Sequence, residues 1–334
     1  MKTKNLILLF FCFFIVQSGF SQITTSAMNG TIIDVKGESL YGANVTATHV
    51  PSGTFYGVTT QDNGKYNIPH MRVGGPYTIE VSYLGYATET INDVYLQLGQ
   101  KLNLGFSMSE EGVMVDELTI IGKLDPILNG ERTGASTAVD RNQIDRLPTI
   151  SRSAEDYTRL NPMSARGGSF GGRNDQYNGY SLNGAIFNNP FGLDSSTPGG
   201  QSDAQPVSLD AIDQISVQIA PYDVTQSGFT GASINAVTKS GTNEFHGTAY
   251  GFYRGNSMSG SKVRGVEALP GDFSSSQFGF GIGGPIIKNK LFFFANFEKE
   301  QRSDLGSNFI PSVNGSTGAN VSRVTQEDMN TVKN

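Results

Sequence analysis

The sequence predicts a mainly β protein: a small β-sandwich, an α+β region after it, and the opening strands of a barrel at the end. Three observations carry that prediction. Tyr77, Ile79, Val81 and Tyr83 sit at every second position, as do Leu102, Leu104, Phe106 and Met108, which is the period of a half-buried strand. Phe278, Phe280 and Ile282 alternate with Gly279, Gly281 and Gly283, setting an apolar face against a face of the smallest residue. Beyond the first residues no apolar stretch approaches a spanning helix, so any membrane crossing must use a closed barrel, which satisfies its backbone internally.

The start of the chain sets the compartment. Lys2 and Lys4 precede an apolar run from Leu6 to Val16, and Gly19-Phe20-Ser21 supplies small residues before Gln22. A basic start, a short apolar run and an A-x-A-like site make residues 1–21 a secretory signal peptide, expected to be cleaved after Ser21. The run is shorter than the roughly 20 residues a spanning helix needs. Cys12, the single cysteine, lies inside that run without a small-residue lipobox before it, so disulfides and thiolate sites are excluded from the mature chain. An exported chain without disulfides is held by its own packing or by a membrane. The formal charge of -6 becomes about -8 once Lys2 and Lys4 are removed (-6 minus 2), which argues against a nucleic-acid partner. With 41 glycines, 10% aromatics and no Trp, the composition suits β-structure with many turns.

Residues 27–108 read as the sandwich. Between its strands lie Asp34-Val35-Lys36-Gly37 and Asp62-Asn63-Gly64, where Asn and Gly tolerate positive φ. A length of about 80 residues suffices for an independent fold. Residues 109–123 change character. Glu110-Glu111-Gly112 is polar, and the run from Val115 through Asp116, Glu117, Leu118, Thr119, Ile120, Ile121 and Gly122 is acidic, then aliphatic. Its β-branched residues favour an extended chain. Read alone, the run also suits one more strand of the sandwich.

Residues 124–241 mix helix and strand. Asp140 to Leu147 makes a short helix ended by Pro148, and Ser153-Ala154-Glu155-Asp156 has capping-box spacing ahead of Tyr157. A Gly/Asn-rich stretch from Arg166 to Gln205 follows. Ser208 to Asp213 forms one helical turn feeding the strand Gln214 to Ala220. That strand has Ile215, Val217 and Ile219 on one face and Gln214, Ser216 and Gln218 on the other. Phe229 to Lys239 is the next strand. Within residues 242–334, strands are expected at Phe245–Tyr253, Ser276–Gly283 and Leu291–Lys299. A long polar loop, Gly255–Ser275, joins the first two, and a short one, Pro285–Lys290, joins the last two. Alternating long and short connections suit outer-membrane barrels.

Several of these motifs resemble known families. Gly30-Thr31-Ile32-Ile33-Asp34, Gly42-Ala43-Asn44-Val45, the run from Thr59 to Tyr66 and the run from Val81 to Tyr86 resemble the carboxypeptidase regulatory-like domain. That resemblance implies a prealbumin-like, non-catalytic sandwich of the kind placed before outer-membrane receptors in Bacteroidetes-type bacteria. Asp116 to Gly122 is similar to a TonB box, which implies contact with TonB by strand addition. Tyr180-Ser181-Leu182-Asn183-Gly184, Ser208 to Val217 and Gly231 to Gly241 resemble the receptor plug domain; Asn183 stands where Asp more often precedes the glycine. Pro221-Tyr222-Asp223, Thr242 to Gly247 and Gly283 to Phe294 resemble the Oar-like TonB-dependent receptors.

The resemblance implies an importer in the outer membrane of a Gram-negative, Bacteroidetes-like bacterium. A plug fills a barrel of roughly 22 strands, and TonB with its inner-membrane complex supplies the work. Only the first strands fit here, so the chain is expected to be the N-terminal part of a longer receptor, ending in an outside loop after Gln301. Implied partners are TonB, outer-membrane lipid, an unidentified small-molecule, glycan or peptide ligand, and a surface lipoprotein. Arg166 and Arg173 either face ligand at the plug's outer surface or pair with acidic residues of the barrel wall. The rival reading is a structural or adhesive outer-membrane protein whose sandwich binds carbohydrate or other surface polymers without import.

Catalytic chemistry finds little support. The three histidines, His49, His70 and His246, have no His or carboxylate at a zinc-site spacing. His49 follows a strand and His70 follows Pro69, so both are expected on the sandwich surface or in turns. Gly283-Gly284-Pro285 and Arg166-Gly167-Gly168 do not lead from strand to helix, as phosphate loops do. No catalytic residue, metal ligand or cofactor is expected.

Overall fold

The computed structural model describes residues 24–111, 120–121, 135–149, 152–165, 168–189, 205–221, 226–258, 260, 262–263, 266–267, 273–304, 310–313, 315 and 321–333. The expected signal peptide lies outside them. The chain divides into two compact units, residues 1–246 with 282–295, and residues 247–281 with 296–334.

The first unit begins with the sandwich. Its strands are β1 (Ser26–Asp34), β2 (Asn44–His49), β3 (Thr54–Thr59), β4 (Lys65–Met71), β5 (Gly74–Ser82), β6 (Glu89–Leu96), β7 (Lys101–Asn103), β8 (Gly105–Met108) and β9 (Ile120–Ile121). One sheet runs β4-β1-β8-β9 with β7 also on β1, and the other runs β3-β2-β5-β6. The alternation read from sequence is what closes the core. Tyr77, Ile79, Val81, Leu102, Leu104, Phe106 and Met108 are all buried, packed with Met28, Ile32 and Met71.

The run Leu102–Met108 is not one strand. β7 pairs parallel with Ala27–Asn29 and β8 with Ile32–Asp34, and the break falls at Leu104, opposite Gly30. There the neighbouring chains of this sheet approach so closely that a Cβ on Gly30 would lie 1.9 Å from the Leu104 carbonyl oxygen. Tyr66 fills the space and donates its hydroxyl proton to that carbonyl at 2.6 Å. The turns form as expected. Asp34 Oδ1 accepts from the Lys36 and Glu38 amides at 2.8 and 2.7 Å, and Gly37 and Gly64 have φ of 87° and 68°.

The middle domain, also in the first unit, is α+β. It contains β10 (Ala135–Val139), α1 (Arg141–Arg146), α2 (Glu155–Thr158), β11 (Gly179–Leu182), β12 (Ala185–Ile186), β13 (Ile212–Ile219) and β14 (Ala232–Thr238). The sheet order is β10-β13-β14-β11-β12. Its core gathers Val139, Ile144, Tyr157, Phe170, Tyr180, Ile215, Val217 and Ile234. The capping box is at Asp140, whose side chain accepts from the Gln143 amide while Gln143 returns a bond to the Asp140 amide. At Ser153 the expected box does not form; Ala154 caps α2 without a side-chain bond. Asp156, at the second position of so short a helix, accepts from the Ser153 amide at 3.4 Å and from the Arg159 guanidinium at 2.6 Å. β13 differs from its two-faced expectation: Gln214 and Ser216, on the polar side, are buried as deeply as Ile215 and Val217.

The barrel-type strands follow: β15 (His246–Gly255), the short pair β16 (Lys262–Val263) and β17 (Val266–Glu267), β18 (Phe273–Ile287) and β19 (Leu291–Asp304), with β15, β18 and β19 hydrogen-bonded in that order. β20 (Ile310–Ser312), β21 (Val321–Thr325) and α3 (Gln326–Lys333) end the chain. β18 and β19 are longer than their apolar cores suggested, because polar residues such as Ser274–Gln277 and Glu298–Asp304 continue the strands past the apolar band. β19 therefore runs through Gln301, where a loop was expected to begin. No helix among the described residues is long and apolar enough to cross a membrane.

Candidate interaction sites

On β18 the two faces separate as the sequence required. Phe278, Phe280 and Ile282 point outward, while Gln277, Gly279, Gly281 and Gly283 are buried. Phe280 also meets Phe297 of β19 on the outward side, ring centroids 5.7 Å apart. Behind them, Glu298 accepts from Tyr250 at 2.6 Å and from Gln277 at 3.0 Å. Glycine is needed in this row: a Cβ on Gly279 would lie 2.5 Å from the Tyr250 hydroxyl. The result is a strand with an apolar, exposed face of Phe278, Phe280 and Ile282 and a buried face of glycines with Gln277 hydrogen-bonded at its end.

The box-like segment is placed only in part. Asp116, Glu117, Leu118, Thr119 and Gly122 lie outside the described residues. Ile120 and Ile121 form β9, antiparallel to β8, with Phe106 opposite Ile120 and Gly105 opposite Ile121. These two residues therefore sit at the edge of the sandwich, the alternative the sequence left beside the box. Arg166 is outside the described residues. Arg173 is exposed at the tip of a tight loop, its amide donating to the Phe170 carbonyl at 2.9 Å while buried Phe170 anchors the loop below.

His49 is the last residue of β2, paired with Thr54 and Tyr77, and is buried rather than on the surface or in a turn as expected. The turn that follows folds back under the end of the sandwich, and the ring packs 4.9 Å from that of Tyr77. Its Nδ1 is 2.6 Å from Ser52 Oγ, which is 2.7 Å from Thr54 Oγ1. Burial, with a smaller contribution from Arg72, lowers the His49 pKa from 6.5 to about 4. A Ser–His contact suggests a nucleophile, but Ser52 has 0% exposure, so no substrate reaches it. The cluster is a buried polar staple. No group of three potential metal ligands occurs among the described residues.

A set of contacts that sequence reasoning missed joins the sandwich to the middle domain and the strand connection after it. Gln214, buried on β13, accepts from the Leu98 amide at 2.8 Å and donates to the Leu96 carbonyl at 3.2 Å. Arg72 reaches Ser240 Oγ and, at 3.5 Å, the Gly241 carbonyl. The Asn243 amide donates to the Pro51 carbonyl at 2.8 Å, and the Asn243 side chain pairs with Asn289 at 2.7 and 2.8 Å. Beside Gln214, burial raises the pKa of Asp213, opposed by the nearby cation Arg72. A lone Gln on a strand's polar face gives no local sign that a distant backbone will claim it.

With this geometry in view, comparison with known proteins is informative. The family described as carboxypeptidase regulatory-like domain matches residues 27–109, and the one described as outer membrane beta barrel domain matches residues 237–333. The chain is 27% identical over 295 residues to the TonB-dependent transporter Oar of Myxococcus xanthus, an alignment covering 82% of this chain and 26% of Oar. It thus spans about a quarter of that relative's length. Among solved structures, the siderophore receptor PirA from Acinetobacter baumannii is similar at TM-score 0.39 and 22% identity, over 52% of this chain and 27% of PirA. Wild-type catechol 1,2 dioxygenase from Acinetobacter radioresistens is similar at TM-score 0.24 and 15% identity, over 29% of this chain and 56% of the enzyme. Neither structural likeness is close enough to bear on function. The two domain matches and the Oar relative uphold the resemblance read from the sequence: the chain carries a carboxypeptidase regulatory-like domain and, after it, outer membrane β-barrel sequence.

Proposed function

We propose that this chain is the N-terminal part of a TonB-dependent outer-membrane transporter, with the middle domain as its plug and no catalytic site of its own. The observation that carries the reading is the order of parts. A regulatory-like sandwich precedes a five-stranded α+β domain, and a three-stranded sheet follows it, whose strand β18 sets an apolar exposed face against a buried row of Gln277 and glycines. An open sheet of such strands leaves edges that lipid cannot satisfy, so further strands must close it. The similarity to Oar across 82% of the chain supports the same order.

A plugged barrel blocks diffusion, so import requires the plug to rearrange, and the work must come from the periplasmic side. Asp116 to Gly122 is the segment through which TonB would act, by pairing backbone to backbone. Ligand captured outside would favour a plug state in which this segment is released from the sandwich edge; such coupling needs different ligand affinity for the two states. Arg173, exposed on its loop, and Arg166 are the candidates for ligand contact on the plug. The test is capture of the complete receptor, with and without residues 116–122, by the purified periplasmic domain of TonB. The intact receptor is expected to be retained and the deletion to pass through; equal retention of both would overturn the assignment.

A further inference from the structure

We propose that the sandwich and the middle domain are held together by a polar latch, keyed by Gln214, that opens as one cooperative unit. The inference goes beyond transport itself and does not depend on TonB binding.

The two hydrophobic cores share no residue: one is drawn from Met28 to Met108, the other from Val139 to Ala236. Polar contacts among the described residues join the bodies. Gln214 takes both a backbone N–H and a backbone C=O from the Leu96–Leu98 stretch. Arg72 of the sandwich reaches Ser240 and Gly241, and the Pro51 carbonyl receives the Asn243 amide. Three separate sandwich stretches, around Pro51, Arg72 and Leu96–Leu98, thus converge on one strand of the middle domain and on the stretch that leaves it.

Interfaces within a chain resemble transient ones, and the parts they join move relative to one another unless the interface is large and apolar. Gln214 makes the opening cooperative. Its side-chain amide finds its partners in the sandwich, the Leu98 N–H and the Leu96 carbonyl. Losing the sandwich leaves a donor and an acceptor to be rehydrated at once. The covalent link between the two bodies is residues 109–134, the stretch that contains the box-like segment.

Amide hydrogen exchange in the complete receptor tests this, read at contacts remote from each substitution. In Gln214→Leu, exchange at Leu98 and also at Asn243 should rise roughly tenfold or more. The Leu104 amide, bonded to Asn29 inside the sandwich at 2.7 Å, should keep its protection. An unchanged Asn243 rate with a faster Leu98 rate would mean independent contacts, and would overturn the latch. If Leu104 also loses protection, the variant has lost its fold, and Arg72→Ala decides from the opposite side. There, faster exchange at Leu98 supports the latch, and an unchanged Leu98 rate overturns it.

Discussion

At the scale of single residues, burial decides what chemistry a side chain keeps. His49 titrates at 6.5 when exposed and at about 4 in the folded sandwich. Between those values the unfolded chain binds the proton and the folded one does not, so folding stability is full above about 6.5 and declines as pH falls toward about 4. The whole window corresponds to at most roughly 3 kcal/mol. Urea midpoints read from sandwich amides should fall across that interval, and His49→Asn should flatten the profile; a parallel decline in both proteins would count against His49. Gly30 is a steric case. Any side chain there meets the Leu104 carbonyl, which is backbone and cannot turn aside. Gly30→Val should therefore cost several kcal/mol, more than the roughly 1–3 kcal/mol typical of overpacking, and leave the sandwich amides unprotected. The sequence put His49 on the surface or in a turn, and Gly30 in a motif resembling the regulatory-like domain. What closes over them comes from residues far along the chain.

Single elements behave more nearly as their local sequence dictates. The cap of α1 is an example: Asp140 precedes a helix with Gln143 at the third position, and the reciprocal bonds form. Asp140→Ala should lower the stability of the middle domain by about 1 kcal/mol, measured by urea unfolding; an unaltered midpoint would mean that packing on β13 alone holds the helix. Ser153, with similar spacing, forms no such box because its helix is a single turn. β18 carries the clearest pattern in the chain. If its outward face meets lipid, Phe280→Lys should destabilise the complete barrel by about 2–4 kcal/mol near the bilayer midplane, seen as a lower unfolding midpoint in liposomes. Full tolerance of the charge would place that face in water or protein. The break between β7 and β8 is the opposite kind of result. Alternation was correct through all of Leu102–Met108, yet contact with Gly30 on β1 divides the strand.

For the molecule as a whole, the separate cores predict separate losses. Phe106→Ala removes a fully buried ring from the sandwich and should cost about 3–5 kcal/mol there. Protection of Ile215 and Val217 amides in the middle domain should persist; their simultaneous loss would mean one cooperative core. Sequence alone determined the class of each part, the order of the parts and the faces of β18, because strand period, turn chemistry and apolar patterning act within a few residues. It also marked the box-like run, without deciding between an extra strand and a docking peptide. Tertiary structure decided which polar residues leave water. Ser52, Gln214 and Ser216 are buried by segments from elsewhere in the chain, and the Gln214 amide is matched by a backbone stretch more than a hundred residues earlier. Short-range pattern fixes how a strand presents its side chains; only the folded chain fixes what those side chains meet.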